Sequence, residues 1–425
     1  MANKTLKNWQ GTLAVIGVDW GDSGKGRLTD DLSARADVVA RFNGGANTGH
    51  TVENQYGKFA LHIMPSGIFN NKAICVIGRN VAVDLESLVF EMSALDKAGV
   101  SYKKLVIDEQ ASLVMPWHKL RDGLREKLRN AKIGTTGRGV GPAYADRTER
   151  VGLLAKDLLL SDFAKKLQEE AKIQNKFYDL KQDAAKIIKQ YREYQTKVKK
   201  FIGKSIPIVH QAEKERKNIL FEGAQGYFLD IDAGTYPYVT SSNPGVVGIA
   251  RSFDIHPSDI NNVVGITKAY TTRIGEGPMS TKIVGEVSRK IIDVGREVGT
   301  TTGRERTVGW LDLVLIKEAA RANKLTALAV TKLDVLSKIA KLKLCVSYEL
   351  NGKSADYIGH DAELLSKVKP VYEEIDGWAQ DISSIRSFTD LPKNAEIYIK
   401  KIEEFTKVPV KFISVGPKRG EVIYL

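Results

Sequence analysis

The residues best placed to do chemistry lie in a glycine-rich stretch near the start of the chain, Gly17-Val-Asp-Trp-Gly-Asp-Ser-Gly-Lys-Gly-Arg27. An apolar run, Leu13-Ala-Val-Ile16, precedes it and a helical pattern follows. A glycine loop between a strand and a helix presents backbone N–H groups to an anion, and Lys25 adds a positive charge. The hydroxyl residue of a Walker A motif is missing after this lysine, so Asp22 is the candidate magnesium ligand. The alternative is a plain strand–helix turn.

Two further glycine-rich loops carry polar side chains. The first, Asn43-Gly-Gly-Ala-Asn-Thr-Gly-His-Thr51, follows an apolar run. Its His50 is a candidate acid or hydrogen-bond donor, because a histidine among polar residues is less often packing than one on an apolar face. The second, Gly134-Thr-Thr-Gly-Arg-Gly-Val-Gly-Pro142, combines hydroxyl groups and an arginine with glycines. This composition suits a phosphate monoester, and the alternative is a polar turn.

Three segments in the second half of the chain carry side chains that can recognise small molecules. The segment Ile219–Asp230 indicates a strand and a glycine turn with Gln225, whose amide can both donate to and accept from a purine edge. The loop Thr300-Thr-Thr-Gly-Arg-Glu-Arg306 supplies hydroxyl and guanidinium groups for a dicarboxylate, or is a basic surface loop. A buried-type strand ends at Lys332 and Asp334. A carboxylate there can accept from both N1–H and the 2-amino group of guanine.

The composition is that of a globular protein with a basic net charge. Of its 425 residues, 43% are hydrophobic and 27% are charged, and no apolar run reaches the length of a membrane span. The N-terminal segment lacks the apolar core of a signal peptide, and Cys75 and Cys345 lie in apolar runs. We therefore expect buried thiols in a reducing cytoplasm. Much of the net charge of +13 comes from residues 165–217, where interleaved aromatic residues are lacking, which favours a solvated helix face over nucleic-acid binding.

Apolar runs that alternate with helical patterns predict an α/β fold with a large, mainly parallel central sheet, P-loop-type glycine loops and peripheral helical layers. We expect strands near residues 14–17, 38–42, 73–78 and 105–107, a helix capped by Asp84 that stops at Gly99, and charged helix over 164–194. No internal repeat or low-complexity linker divides the sequence. Residues 1–425 are therefore expected to form one domain, with a helical subregion at about 155–217.

The loops resemble, in order along the chain, those of the adenylosuccinate synthetase family. The resemblance is carried by Trp20-Gly-Asp-Ser-Gly-Lys-Gly26, by Asn47-Thr-Gly-His-Thr51 and by the segment Ile133–Tyr144, and it extends to Gly416. Members of this family join IMP to L-aspartate with GTP on the route to AMP. The resemblance implies the same ligase activity here, with Mg²⁺ as the metal. It also implies a cytoplasmic homodimer, with neither nucleic acid nor membrane as a partner.

The resemblance implies roles for individual residues. The catalytic residues would be Asp22, Lys25, His50 and Gln225. The IMP ligands would be Asp22, Lys25, Asn47, Thr136, Gln225, Thr240 and Arg304, together with the partner subunit's Arg150. The aspartate ligands would be Thr300, Thr301, Thr302, Arg304 and Arg306. The GTP ligands would be Gly21, Gly24, Lys25, Gly26, Arg27, Gly49, Thr51, Arg306, Lys332, Asp334, Ser414 and Gly416. The metal ligands would be Asp22 and the Gly49 carbonyl.

The implied reaction has two steps. Asp22 takes the N1 proton of IMP so that O6 attacks the γ-phosphate of GTP, while Gln225 positions the base. Lys25, Mg²⁺ and the loop amides stabilise the transferring phosphoryl group, and His50 donates a hydrogen bond or a proton to its oxygens. The aspartate amine then displaces phosphate from the 6-phosphoryl-IMP intermediate. Two alternatives are a related synthetase that acts on another purine monophosphate such as dGMP, and a regulatory GTP-binding protein.

Four residues depart from the usual family pattern. Ser23 stands where glutamate is usual, Ala46 and Ala233 stand where histidine is usual, and Glu305 lies between the two arginines of the aspartate loop. None of the four has a proposed chemical role, but they leave substrate affinity and the exact purine open. A related viral branch that acts on dGMP loses the catalytic aspartate, whereas Asp22 is present here and favours IMP.

Overall fold

The structure is a computed structural model that describes residues 6–299, 303–355, 357–358, 360–418 and 420–425. Within these ranges the chain forms one ten-stranded sheet, four smaller sheets and twelve α-helices. The strands are β1 (Thr12–Gly17), β2 (Val38–Arg41), β3 (His50–Asn54), β4 (Gly57–Leu61), β5 (Ile74–Ile77), β6 (Ala82–Val83), β7 (Leu105–Asp108), β8 (Ser112–Leu113), β9 (Ile202–Gly203), β10 (Ile219–Glu222), β11 (Asn262–Lys268), β12 (Thr271–Arg273), β13 (Thr307–Gly309), β14 (Leu311–Asp312), β15 (Ala327–Thr331), β16 (Lys341–Leu350), β17 (Lys353–Ala355), β18 (Lys369–Asp376), β19 (Val410–Ser414) and β20 (Val422–Tyr424). The helices are α1 (Lys25–Ser33), α2 (Leu85–Lys97), α3 (Pro116–Leu128), α4 (Val140–Glu149), α5 (Phe163–Tyr178), α6 (Ala184–Val198), α7 (Ser205–Lys214), α8 (Val246–Phe253), α9 (Glu286–Gly295), α10 (Leu313–Asn323), α11 (Ala362–Lys367) and α12 (Lys393–Thr406).

The central sheet confirms the predicted α/β architecture. Its strand order is β20-β19-β15-β11-β1-β10-β2-β5-β7-β9, and the neighbouring strands run parallel except for β19 and β20. Both faces of the sheet are covered, because Leu13 and Val15 of β1 enter one apolar cluster while Ala14 and Ile16 enter another. A parallel sheet buried on both faces accounts for the continuous apolar runs in the sequence.

The predicted elements are found with small shifts at their ends. The four predicted strands correspond to β1, β2, β5 and β7, and α2 follows Asp84 and ends just before Gly99. The helical stretch expected over residues 164–194 is two helices, α5 and α6. The chain breaks between them because Asp179 has φ 51° and Asp183 caps α6 by accepting from two backbone N–H groups. Cys75 and Cys345 are free and buried, as expected.

The carboxyl ends of the parallel strands meet along one edge of the central sheet. The glycine-rich and polar segments of the sequence follow β1, β2, β10, β15 and β19 at this edge. In α/β sheets, ligands bind in the crevice outside the carboxyl ends of the strands. The topology therefore brings together loops that are far apart in the sequence. None of the described helices combines the length and the apolar composition that crossing a membrane requires.

Candidate active site

A cleft of about 600 Å³ lies at this edge, within the size range of ligand pockets. The predicted site residues that line it are Gly21, Asp22, Gly24, Lys25, Gly26, Asn47, Gly49, His50, Thr51, Thr136, Gln225, Thr240, Arg306 and Lys332. These residues come from seven separate stretches of the sequence. The fold therefore brings most of the predicted catalytic and ligand-binding residues to one place.

The first glycine loop leaves β1 and enters α1 at a left-handed glycine. Gly24 precedes the helix with φ 83°, a backbone conformation that glycine adopts without strain. A Cβ atom at Gly26 would lie 3.1 Å from the His50 Cβ atom and 3.2 Å from the Thr51 carbonyl oxygen. The loop thus contacts the second glycine loop directly, which explains why glycine occupies the Walker A hydroxyl position.

Lys25 is the cation of this loop, and its side chain is almost fully buried. The residue is 5% exposed, and burial lowers the pKa of its amine. The nearby carboxylates of Asp19, Asp22 and Glu222 offset part of this shift. A cation shielded from water beside backbone N–H groups can bind an anion such as a phosphate.

Asp22 forms an ion pair across the cleft. Its Oδ2 accepts a hydrogen bond from Arg306 Nε at 2.9 Å, and its side chain is 39% exposed. Burial raises the pKa of Asp22, but Arg306, Lys268 and Lys25 outweigh it, so the pKa lies below the ordinary value of 3.8. Asp22 is therefore ionised at neutral pH and remains accessible from the cleft.

Gln225 and two other predicted IMP ligands meet at one hydroxyl group. Gln225 Nε2 donates to Thr240 Oγ1 at 2.9 Å, and Asn47 Nδ2 donates to the same oxygen at 3.4 Å. Ser242 Oγ donates to Gln225 Oε1 at 3.3 Å. This hydrogen bond fixes the orientation of the Gln225 amide, with Oε1 towards Ser242 and Nε2 towards Thr240. Together they form a small network of amide and hydroxyl groups that can recognise a purine edge.

His50 is held by a carboxylate that the sequence analysis missed. His50 Nδ1 lies 2.6 Å from Glu222 Oε1, and Glu222 Oε2 accepts from Ser66 N at 2.8 Å and from Ser66 Oγ at 2.6 Å. Glu222 is fully buried at the end of β10, where burial raises its pKa but His50, Ser66 and Arg41 bring it below the ordinary value. This carboxylate orients the imidazole, because the ring nitrogen bound to it cannot turn towards the cleft.

Arg41, at the end of β2, shapes the second glycine loop and was also missed. Its guanidinium is 2% exposed and donates to the carbonyl oxygens of Asn43 at 3.4 Å and Gly45 at 3.1 Å, and also to that of His62. A buried cation that binds loop carbonyls replaces the hydrogen bonds that secondary structure would otherwise supply. The loop that carries His50 is therefore tied to the sheet.

The Lys332–Asp334 segment follows β15, whose last residue, Thr331, donates from Oγ1 to the Ser23 carbonyl oxygen of the first glycine loop at 2.7 Å. Lys332 has φ 59° and donates from Nζ to the Gly295 carbonyl oxygen at 2.6 Å. Asp334 Oδ1 is buried and has no hydrogen-bond partner in the described part of the chain. Burial raises the pKa of Asp334 to about 6, with Lys332 opposing the shift. An unpaired buried acceptor is costly, so a donor pair such as that of guanine would satisfy it.

The loop after β19 is attached to α1. Arg27 donates to the carbonyl oxygens of Gly416 and Lys418, and Ser414 Oγ donates to the Gly416 oxygen at 3.1 Å. Pro417 lines the cleft. Arg27 thus holds the segment with the predicted GTP ligands Ser414 and Gly416 against α1.

The third glycine loop contacts the aspartate loop. Arg304 Nη2 donates to the Gly134 carbonyl oxygen at 2.9 Å, and Thr136 faces the same cleft. Arg150 is exposed at the end of α4 and is not among the residues that line the cleft. The predicted aspartate ligands Thr300, Thr301 and Thr302 lie outside the described residues.

The four residues that depart from the family pattern are accommodated without strain in the structure. Ser23 is buried and donates to Asp19 Oδ1 at 2.6 Å. Ala46 is buried, and the Ala233 backbone N–H donates to an aspartate at 3.1 Å. Glu305 faces outward and pairs with Arg289 at 3.0 Å. Its charge is therefore partly neutralised outside the cleft, rather than opposing the arginines beside it.

A parallel sheet with glycine-rich loops at its carboxyl edge, a buried lysine in one of these loops and a nearby network of amide and hydroxyl groups are together typical of a nucleotide-dependent enzyme. The chain belongs to the adenylosuccinate synthetase family, whose model matches residues 14–423. It is a GTP-dependent ligase of purine nucleotide biosynthesis that acts on IMP and L-aspartate.

Comparisons with individual proteins agree with this family. The adenylosuccinate synthetase of Acetivibrio thermocellus is 46% identical over 419 residues, which cover 97% of this chain and 99% of that protein. The one from Clostridium novyi is also 46% identical, over 97% of this chain and 98% of that protein. The structure of fully ligated adenylosuccinate synthetase from Plasmodium falciparum matches with a TM-score of 0.94 at 34% identity, covering 98% of this chain and 100% of that chain.

A more distant match concerns the dGMP alternative. The succinoaminodeoxyadenylate synthetase of cyanophage S-2L, bound to dGMP and dATP, has a TM-score of 0.62 and 16% identity, covering 98% of this chain and 95% of that chain. At this identity the match shows the shared fold alone. The interpretation of this chain as a member of the IMP-dependent family is confirmed by the relatives at 46% identity.

Proposed function

We propose that the ligase reaction passes through a 6-phosphoryl-IMP intermediate, with Asp22 as the base that takes the N1 proton. The observation that carries this proposal is the convergence of Asp22, Lys25 and Gln225 at one cleft from two different strands. An ionised carboxylate, a buried cation and an amide with its hydroxyl partner are the groups needed to deprotonate a purine, receive a phosphate and orient the base. The 6-oxo group of IMP leaves poorly, and phosphorylation turns it into a good leaving group.

The phosphoryl group would be stabilised from two sides. The amides of the first glycine loop and Lys25 face it from β1, and His50 faces it from the second loop. Because Glu222 holds His50 Nδ1, the Nε2 atom is the one that can donate to a phosphoryl oxygen. Preorganised donors of this kind supply the main stabilisation in phosphoryl transfer.

We assign the remaining ligand contacts as follows. Asp334 reads N1–H and the 2-amino group of guanine, with the aliphatic stem of Lys332 against the base. Arg304 and Arg306 bind the carboxylates of L-aspartate, since a guanidinium pairs with a carboxylate in a two-pronged geometry. Thr136 binds the IMP phosphate. The contact between Arg304 and Gly134 supports a shared site, because it joins the loops proposed for aspartate and for that phosphate.

Mg²⁺ is the metal that this donor set fits. Asp22 offers a hard carboxylate oxygen accessible from the cleft, and the Gly49 backbone borders the same cleft. Among the described residues no group of three or more histidine, cysteine or acidic side chains is placed to hold a metal. Mg²⁺ characteristically uses one or two carboxylates together with phosphate oxygens and water. When bound by Asp22 and the Gly49 carbonyl, it would neutralise charge on the phosphates of GTP.

We further propose that the active unit is a homodimer in which the partner subunit's Arg150 reaches the IMP phosphate. The exposure of Arg150 outside the cleft of its own chain supports this arrangement. Residues 1–425 would act as one domain, because segments from Trp20 to Pro417 line the same cleft. A cytoplasmic location is supported by the two free, buried cysteines, which are typical of a reducing compartment.

Transfer of an isotope label tests the intermediate. IMP carrying ¹⁸O at position 6 is incubated with GTP, L-aspartate and Mg²⁺, and the released phosphate is analysed by mass spectrometry. The proposal predicts that one ¹⁸O atom per turnover appears in phosphate, because O6 becomes a phosphate oxygen. If phosphate is released without label, the aspartate carboxylate or water receives the phosphoryl group and the proposed route is wrong.

A further inference from the structure

We propose that Glu297 is a positioning residue that couples recognition of the guanine base to Arg306, and thereby to Asp22 and the aspartate substrate. Glu297 lies at the base of the aspartate loop and belongs to none of the glycine-rich motifs. The inference rests on the proposed function, since it assigns Lys332 to the guanine base and Arg306 to the amino acid.

The two oxygens of the Glu297 carboxylate serve different parts of the cleft. Oε1 accepts from Lys332 Nζ at 2.7 Å and from the Tyr270 hydroxyl group. Oε2 accepts from Arg306 Nη1 at 2.7 Å and from Lys268 Nζ at 2.8 Å. A carboxylate has about four acceptor positions, and all of them are used here. One side chain therefore links the lysine on the guanine side to the arginine that holds Asp22.

Burial makes this link stiff. Glu297 and Lys268 are fully buried, and Arg306 is 7% exposed. In a site so well shielded from water, each charged side chain must keep its oppositely charged partners, because an unpaired buried charge is strongly destabilising. The Lys332 side chain is 29% exposed, so it can move with a ligand, and a change in its bond to Glu297 is passed to the buried donors of the same carboxylate.

The backbone reinforces the same connection. Arg306 N donates to the Glu297 carbonyl oxygen at 2.9 Å, and Gly299 N donates to the Arg304 carbonyl oxygen at 2.8 Å. These two hydrogen bonds close the aspartate loop at its base. Glu297 thus holds Arg306 by both its side chain and its main chain, and whatever moves Glu297 moves the start of the loop.

The charge balance explains why a carboxylate is needed at this position. Lys268, Arg306 and Lys332 are three cations that all bond to the Glu297 carboxylate. Glu297 keeps these cations close together, where without it they would repel one another.

The test measures how strongly two ligands affect each other. The affinity for a GTP analogue with an imido bridge between its β and γ phosphates is determined by titration, with IMP present, in the presence and absence of L-aspartate. The variants are Glu297→Gln, Glu297→Asp and Tyr270→Phe, with Asp293→Asn, an exposed surface change on α9, as the matched control. Steady-state KM values for GTP, L-aspartate and IMP are measured alongside.

The proposal predicts that L-aspartate tightens analogue binding to the unmodified enzyme, by a factor within the range of about 5–150 that is typical of coupled sites. In Glu297→Gln this factor falls to about 1. The KM values for GTP and L-aspartate should rise much more than that for IMP. Glu297→Asp keeps the charge and should recover part of the coupling. The Asp293→Asn control should behave like the unmodified enzyme.

Three results would overturn the proposal. The first is an unmodified enzyme in which the two ligands bind independently. The second is a folded Glu297→Gln variant with unchanged coupling. The third is a loss of turnover and melting temperature with unchanged KM values, which a merely structural role would give. If Glu297→Gln does not fold, Tyr270→Phe decides, because it removes one donor to Oε1 and keeps every charge. Loss of the proposed function would be recognised separately, by the absence of label transfer in the unmodified enzyme.

Discussion

Arg306 and Asp22 are paired across the cleft, with Arg306 Nε donating to Asp22 Oδ2 at 2.9 Å. The proposed base and an arginine of the aspartate loop therefore neutralise each other. The pair holds the pKa of Asp22 below its ordinary value, so Asp22 is ionised but is a weak proton acceptor. Transfer of the N1 proton is then favourable only together with phosphorylation of O6, which removes electron density from the ring. The pairing suits a mechanism in which the two events are linked.

Replacing Asp22 by asparagine should abolish most of the turnover. The amide oxygen of Asp22→Asn can still accept from Arg306, so we expect the fold and the melting temperature to be kept. The amide cannot take a proton, so kcat should fall by ~10²–10⁴-fold. Steady-state rates with all three substrates measure the loss, and Asp293→Asn is the control for a surface carboxylate on α9. A nearly fully active Asp22→Asn enzyme would exclude Asp22 as the base.

The parts of the site that could be predicted from the sequence are those written as contiguous motifs. A loop that wraps a phosphate needs several closely spaced glycines, so it can be recognised without a structure. Glu222, Arg41 and Lys268 were missed because each is a single charged residue. They share a signal that could have revealed them: each ends a buried strand at the carboxyl edge of the sheet. Glu297 has no such signal, because its partners meet only in the folded chain.

The strands of the fold could be predicted from the sequence, whereas their order in the sheet could not. Continuous apolar runs identify buried parallel strands, but their order in the sheet depends on crossovers that a single sequence does not show. The break between α5 and α6 was missed because charge and helix propensity continue across it. Asp183, which accepts from two N–H groups at the start of α6, is the capping residue that could have revealed it.

Asp334 should set the choice between guanine and adenine nucleotides. In Asp334→Asn the side chain can no longer accept from both guanine donors, and a hydrogen bond to a charged group contributes roughly 1.5–3 kcal/mol. We expect the preference of kcat/KM for GTP over ATP to fall by about 10–100-fold, while KM for IMP stays within a factor of about 2. Unchanged discrimination against ATP would contradict the assignment of this residue to the base.

The raised pKa of Asp334 predicts a pH dependence of GTP binding. Burial raises the pKa to about 6, so the carboxyl group takes up a proton as the pH falls through that value. A protonated carboxyl cannot accept from both guanine donors, so GTP affinity should weaken below about pH 6 and level off above it. The effect on the free energy of unfolding has the opposite sign. Because the folded chain favours the protonated Asp334, this group stabilises the fold at low pH, and that stabilisation is lost as the pH rises from about 4 to about 6. Titration with a GTP analogue between pH 5 and 8 measures this change in affinity. In Asp334→Asn the affinity should not vary with pH over this range.

Glu222 should act on catalysis only through His50. We expect His50→Asn to lower kcat by ~10²-fold or more, and Glu222→Gln to lower it by a smaller factor, because the imidazole remains but is less firmly oriented. The variant that carries both changes should be no slower than His50→Asn alone, since residues that act as one unit are not additive. Melting temperatures of all three variants identify any loss of folded enzyme. Independent, multiplicative losses would mean that Glu222 has a separate role.

Mixed dimers should test whether Arg150 completes the site of the neighbouring subunit. Arg150→Leu removes the proposed phosphate contact from the partner's cleft, whereas Asp22→Asn inactivates only the cleft of its own chain. In a dimer with one chain of each kind, one cleft has an intact Asp22 and receives an intact Arg150. Mixing the two inactive proteins should therefore restore activity, up to about a quarter of the normal value if subunits exchange at random and half the dimers are mixed with one working cleft each. Two differently tagged chains allow the mixed dimers to be purified and counted. Verified mixed dimers without activity would show that Arg150 does not act across the interface.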